Sequence, residues 1–199
     1  MACFSSRAAS ALPAPNPTAT RSASHPTTPR NGITGRNKVK RNASGAAQLR
    51  LDAIDALQTH YGTPRIHQPV ALALAVADEL LDWIGFSNVV RAQDETVTAL
   101  HARDGGRFIL TRTADTYGRC ISLVGRGDSP EASGSSVFVD VEMLKTTANH
   151  QLISTGLAYP TYYRALFPVL RNEFTTAAAW ARANGLGCGP ETAPHQEPM

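Results

Sequence analysis

Apolar and polar positions follow two periods along this chain. Leu49, Leu51 and Ala53 alternate with Arg50 and Asp52, and KVKR (38–41) and AAQLRLDAI (46–54) flank a turn-forming stretch from Asn42 to Gly45. That pattern predicts a β-hairpin. From Pro69 the period lengthens: Val70, Leu74, Ala77, Leu81 and Ile84 fall on one stripe with Asp78, Glu79 and Asp82 opposite. A helix is expected to Trp83 or Ile84, stopped by Gly85. ETVTALHA (95–102) and RFILTR (107–112) surround Asp104-Gly105-Gly106 and predict a second hairpin. After a turn through Tyr117-Gly118, RCISLVG (119–125) reads as a strand and SVFV (136–139) as a short one. Asp140 is a good N-cap for a helix ending near Gly156. A last helix starts around Pro168, where a missing amide hydrogen costs nothing, and carries Leu170, Phe174, Ala177 and Ala181 at helical spacing before Gly185. Strands, a helix, more strands and two helices describe an α+β domain without internal repeats.

Composition separates a tail from this domain. With 42% hydrophobic and 18% charged residues in 199, part of the chain can bury a sizeable core. The first acidic residue is Asp52: residues 1–51 carry eight Lys or Arg and no acid, whereas 52–199 carry eleven basic against sixteen acidic residues, a net −5. Residues 1–30 hold five of the thirteen prolines and only Phe4 and Leu12 as large aliphatic or aromatic groups. Burial there cannot offset the entropy of ordering, so 1–34 is expected to be a disordered basic tail, 35–189 the folded domain and 190–199 a flexible end. An Arg-bearing, acid-free N-terminus also fits an organelle transit peptide, although Pro13, Pro15 and Pro17 break any amphipathic helix. No secretory signal is apparent, which makes the cytoplasm the default expectation, and no apolar run is long enough to span a membrane. Cys3, Cys120 and Cys188 are odd in number and show no C-x-x-C spacing, which argues against a disulfide scaffold or a cysteine zinc site.

Three segments, in order, carry the candidate chemistry: LRLDAIDALQTHY (49–61), ADTYGR (114–119) and STGLAYPTYY (154–163). Together they resemble the staphylococcal (thermonuclease) nuclease family. LRLDAIDALQTHY is similar to that family's arginine-bearing strand, which ends in valine or isoleucine, an aspartate and, three residues later, a glutamate. ADTYGR is similar to its Asp-x-Tyr-Gly-Arg turn, and STGLAYPTYY resembles the Gly-Leu-Ala after its second helix. The resemblance covers about 46–189 and implies an OB-fold-like five-stranded β-barrel with three helices. It also implies calcium-dependent hydrolysis of DNA or RNA. Residue matching makes Arg50 and Arg119 the phosphate-gripping arginines and Asp55 a ligand for Ca2+. Tyr117 and Tyr162 match tyrosines placed beside the nucleotide. Guanidinium forks suit the first role because they make paired bonds to phosphate oxygens.

Two departures weaken the expected activity. Gln58 stands where the family has its catalytic glutamate, and a neutral amide can orient water but cannot take its proton, a loss of about 10² to 10⁴ in rate. Nothing before Arg50 supplies the Asp-Gly-Asp motif that provides the other calcium aspartate, and the family's first strand has no counterpart there. Either the chain lacks its true N-terminal sequence, or it is a decayed nuclease whose tail replaced the strand. The rival expectation is a non-catalytic OB module that binds single-stranded DNA or RNA weakly, or a protein partner. Plainer roles compete at each residue. Arg50 could be a solvent-facing strand residue, Tyr162 an anchor for the last helix, and His60 a loop histidine instead of a substitute base.

Overall fold

The computed structural model describes residues 37–43, 45–57, 69–162 and 166–187. The two tails, Gln58 and His60 lie outside the described residues. Within them the chain forms β1 (Leu49–Leu51), β2 (Ile54–Ala56), α1 (Val70–Trp83), β3 (Phe86–Arg91), β4 (Val97–Ala102), β5 (Arg107–Ala114), β6 (Cys120–Arg126), α2 (Val141–Lys145), α3 (Ala148–Ser154), β7 (Ala158–Pro160) and α4 (Pro168–Ala183). The fold is mixed α+β, as the alternation of periods predicts. Its strands make three small sheets, ordered β1-β6-β5, β2-β7 and β3-β4, and none closes into a barrel among the described residues.

The first expected hairpin is reduced to a single bridge between Arg41 and Ala47. Asn42 closes its turn by accepting from the Ala46 amide through Oδ1, and the chain then leaves that partner. β1 pairs in parallel with β6, Leu49 opposite Cys120, Arg50 opposite Ile121 and Leu51 opposite Ser122. The strand expected to continue to Ile54 breaks at Ala53, whose φ of 63° turns the backbone into the left-handed region. Beyond the kink, β2 pairs antiparallel with β7.

The second hairpin is also corrected. β4 folds back on β3, and β5 pairs with β6, so segments 95–102 and 107–112 belong to different sheets. FSNVVR escapes a period-two reading because its register shifts between Ser87 and Val90, around Asn88 with φ 51°. Asp104-Gly105-Gly106 therefore connects sheets instead of closing a turn. SVFV forms no strand, and Phe138 is exposed. The single helix expected from Asp140 to Gly156 is two, giving four helices among the described residues instead of three. Thr146 and Thr147 interrupt it: their hydroxyls donate to Met143 O and Leu144 O, and Thr147 Oγ1 accepts from the His150 amide to cap α3. The Asp140 cap itself is present, accepting from the Met143 amide at 2.8 Å.

The long helices follow their apolar spacing. α4 buries Leu170, Phe174, Ala177 and Ala181, the stripe its sequence predicts. α1 spans the expected residues but is rotated, burying Ala73, Val76 and Leu81 while Leu74 and Ala77 are half-exposed. These helices and α3 cover a core that includes Leu51, Ile54, Leu123, Leu144, Leu152 and Ile153. Its one fully buried amide side chain among the described residues is Asn149 of α3. Asn149 Oδ1 accepts from the Val124 amide at 3.1 Å, and Nδ2 donates to Asp52 O at 2.9 Å and Ser122 O at 3.2 Å. Asn149 thus joins the helix layer to the end of β1 and the middle of β6. Asn149→Ala leaves the Val124 N–H and the Asp52 carbonyl buried without it, each costing about 1 to 3 kcal/mol. We expect it to lower unfolding stability in urea by about 2 to 4 kcal/mol, whereas exposed Asn184→Ala should change it by less than about 0.5 kcal/mol.

Candidate phosphate-binding site

Register and alternation place the two matched arginines side by side. Arg50 lies opposite Ile121, and Arg119 stands just before β6, two residues ahead of Ile121, so strand alternation carried one residue beyond β6 puts the two arginines on one face. Standard strand spacings put their Cα atoms roughly 8 Å apart. Arg50 is not the solvent-facing strand residue that simple alternation allows: it is 6% exposed, and Arg119 is 7% exposed.

The turn that presents Arg119 is built by Asp115. Its Oδ1 accepts from the amides of Tyr117 and Arg119, both at 2.9 Å, and its Oδ2 accepts from Arg119 Nε at 2.6 Å. Asp115 is therefore both the brace of an Asx-type turn and the counter-ion of a buried guanidinium. Gly118 takes φ 87° in this turn and closes it by donating its amide to Asp115 O. Tyr117 projects outward at 65% exposure, with the Arg119 guanidinium 5.2 Å from its ring centroid. An exposed tyrosine thus lies over a buried arginine fork.

A second carboxylate, Asp52, stands just beyond the end of Arg50's strand. Asp52 Oδ2 accepts from Arg112 Nη2 at 3.3 Å. Arg112 reaches it from the irregularity between Thr111 and Thr113 on β5. Burial raises the Asp52 pKa above the ordinary carboxylate value, and the Arg112 and Arg50 charges only partly oppose this. For Asp115, burial also pushes upward, but the Arg119 amide and guanidinium and the Tyr117 amide outweigh it and hold the pKa below the usual range.

The remaining matched residues stand on other elements. Asp55 is 5% exposed on β2, beyond the Ala53 kink and opposite Tyr159. Tyr162 is bound to α4: its hydroxyl donates to Arg171 O at 2.8 Å and shares a hydrogen bond with Thr175 Oγ1 at 2.6 Å. That is the helix-anchoring geometry. Gln58 lies outside the described residues. Among the described residues no group of three or more His, Cys, Asp or Glu gathers to hold a metal ion.

Residue matching covers Asp115 as the aspartate of the ADTYGR turn but gives it no role, and it assigns none to Asp52, Arg112 or Asn149. Asp115 carries a local signal, since an aspartate two residues before the Tyr117 amide is a standard turn brace. Asp52, Arg112 and Asn149 come together only through tertiary contacts.

The two carboxylates should show opposite pH behaviour. Asp115, depressed, contributes stability that is complete above its unfolded value of about 4 and is lost as pH falls through its lower folded value. Asp52, raised, carries a cost above its folded value that disappears as pH falls below about 4. Asp115→Asn leaves the Arg119 charge buried without its carboxylate and should cost about 3 kcal/mol at pH 7, less at pH 3. Asp52→Asn should be neutral or stabilising at pH 7, by up to about 1 kcal/mol, and lose that gain at pH 3. Urea unfolding of both variants at the two pH values checks the signs.

In comparisons with known proteins, no family model matches this chain and no curated protein is significantly similar to it.

Proposed function

We propose that this is a thermonuclease-like, OB-related domain that binds the phosphates of single-stranded nucleic acid weakly and hydrolyses them poorly. The observation that carries the reading is the placement of Arg50 and Arg119 on one face of the parallel β1-β6 pair, with Tyr117 against Arg119. Two guanidinium forks at that separation suit one phosphate group, and an exposed aromatic beside them suits the adjoining base. The sheet topology adds support. A closed ring of five strands cannot alternate direction all the way round, so it must contain a parallel pair, and β1-β6 is such a pair within an otherwise antiparallel set. β1, β6 and β5 would be three consecutive staves of the barrel.

Poor hydrolysis follows from Gln58 in place of a glutamate and from the absence of an Asp-Gly-Asp motif before Arg50. Two arginines can neutralise phosphoryl oxygens and stabilise a crowded transition state. Without a base to deprotonate water, that stabilisation gives binding more than turnover. A second reading, a non-catalytic module with a protein partner, is favoured by the burial of both arginines and by the Asp115 carboxylate that engages Arg119 Nε at 2.6 Å.

Titration of a labelled single-stranded oligonucleotide separates these readings. Affinity should be weak and fall with added salt, and deleting residues 1–34 should flatten the salt dependence because those residues carry three arginines and no acid. With the fold of each variant checked by circular dichroism, Arg50→Ala combined with Arg119→Lys should weaken binding by the truncated domain by about tenfold or more, and Tyr117→Ala by about fivefold to a hundredfold. Arg119→Lys keeps a charge for Asp115 while removing the fork. Unchanged affinity in the double variant would give the protein-partner reading precedence. Calcium-stimulated cleavage should not exceed the background set by Arg50→Ala, and robust cleavage would overturn the impaired-enzyme reading.

A further inference from the structure

We propose that Arg103, Arg107 and Arg126 form a second phosphate-binding site, at the end of the β5-β6 ladder away from Arg119. Arg126 is the seventh residue after Arg119, at the far end of β6, roughly 23 Å along the strand. Arg107 and Arg126 are directly paired across the antiparallel ladder, so their side chains leave the same face as neighbours. Arg103 joins them from the end of β4, its carbonyl accepting from Arg107 Nη2 at 3.1 Å.

Much of this cluster serves the C-terminus of α1. Arg107 Nε donates to Ile84 O, and its Nη2 donates to Gly85 O at 2.7 Å. Gly85 takes φ 89°, a backbone conformation that favours glycine. Arg103 Nη2 donates to Asp82 O and Phe86 O and pairs with Asp82 Oδ1 at 2.6 Å. These bonds satisfy carbonyls that a helix end leaves open, and cations are favoured at that end of the dipole.

Capping accounts for Arg107 but not for Arg126. The Arg126 side chain makes one long bond, Nη1 to Trp83 O at 3.3 Å, although it is exposed and directly opposed to another cation. Like charges so placed are destabilising unless something negative lies between them. Arg103 Nε is buried and donates to no acceptor among the described residues. Asp82 is the one carboxylate paired with the trio among the described residues, and exposed Asp104 and Asp128 form no ion pair with it. Burial first, then the Arg126 and Arg103 charges, hold the Arg107 pKa below the usual arginine value. Three cations thus meet one bridged carboxylate, and donors on Arg103 and Arg126 remain available to an anion.

The anion's chemistry follows from the directions of approach. Guanidinium groups arrive from the end of β4, the start of β5 and the end of β6. A planar carboxylate offers two oxygens to one fork, whereas a tetrahedral phosphate presents oxygens to several. A free phosphate or pyrophosphate and a nucleic-acid backbone share that chemistry.

The test is NMR of the arginine Nε–Hε signals of the full chain, titrated with sodium pyrophosphate at constant ionic strength. The Arg103 and Arg126 signals should shift saturably. Arg126→Ala, which removes only the Trp83 contact, should weaken pyrophosphate binding by about tenfold or more, and Arg103→Lys should weaken it as well. Arg50→Ala should leave this binding unchanged, so that failure here is distinct from failure of the site proposed above. Displacement of pyrophosphate by a single-stranded oligonucleotide would identify the backbone as the source, and no displacement would identify the free anion. Shifts that track ionic strength without saturating, or binding undiminished in Arg126→Ala, would overturn the proposal.

Discussion

The parallel contact between β1 and β6 organises the molecule, and a buried side-chain amide secures it. A three-residue strand gains few ladder bonds, and parallel pairing is slightly weaker per residue than antiparallel. Asn149 compensates by binding both sides of the junction from α3, engaging the Asp52 carbonyl after β1 and the Val124 amide and Ser122 carbonyl on β6. Because both its oxygen and its nitrogen find partners, the buried amide specifies one register instead of only adding cohesion. A slip by one residue would carry Arg50 to the opposite face and separate it from Arg119. The site geometry therefore depends on a helix residue that belongs to neither arginine's motif and meets the Arg50 segment only through the Asp52 carbonyl.

Charge burial explains why this register is worth specifying. The region around β1 and the Asp115 turn holds Arg50, Asp52, Asp55, Asp115 and Arg119 at 9% exposure or less. Such groups are costly to desolvate and tolerable only when hydrogen-bonded. At Asp115 the hydrogen bonds win, since two amides and a guanidinium converge on one carboxylate. At Asp52 burial wins, with a 3.3 Å contact from a half-exposed arginine. A core built for stability alone would use apolar residues at these positions. Retaining opposed charges beneath an exposed tyrosine suits a surface that meets a charged ligand.

Legibility in the sequence follows the range of the physics involved. α1 and α4 are visible because fourteen and sixteen residues repeat one apolar spacing, and the Asp140 cap because it acts over three residues. The break at Thr146-Thr147 is local too, but its threonines leave the apolar spacing intact enough to pass as helix. β3 is hidden by the irregularity at Asn88, and β2 and β7 by being three residues long. Strand partners are the larger failure: nothing within 95–112 states that β4 turns back while β5 goes forward. At the site, Arg50 and Arg119 stand out through the family-like motifs, and their shared face becomes visible only with the β1-β6 register. Asp52, Arg112 and Asn149 carry no motif and are linked by contacts across 27 to 97 residues.

The two arginine groups at opposite ends of β6 obey different physical logic, and the difference bears on what each can bind. Arg119 is sunk in the protein beside its own carboxylate, so a phosphate reaching it must compete with Asp115 for the guanidinium or use an edge that Asp115 leaves. Such a site favours a ligand that brings further contacts, as a base stacking on Tyr117 would. Arg103, Arg107 and Arg126 stand at the surface around the negative end of a helix, where the carbonyls offset only part of their charge. Surface cations in excess of their carboxylates attract anions at longer range and with stronger dependence on salt. The region from Asp52 onward is acidic as a whole, so these clusters are local reversals of its field. On the proposed reading, an anion would meet those reversals, and the basic residues that precede Asp52, before the domain's net charge.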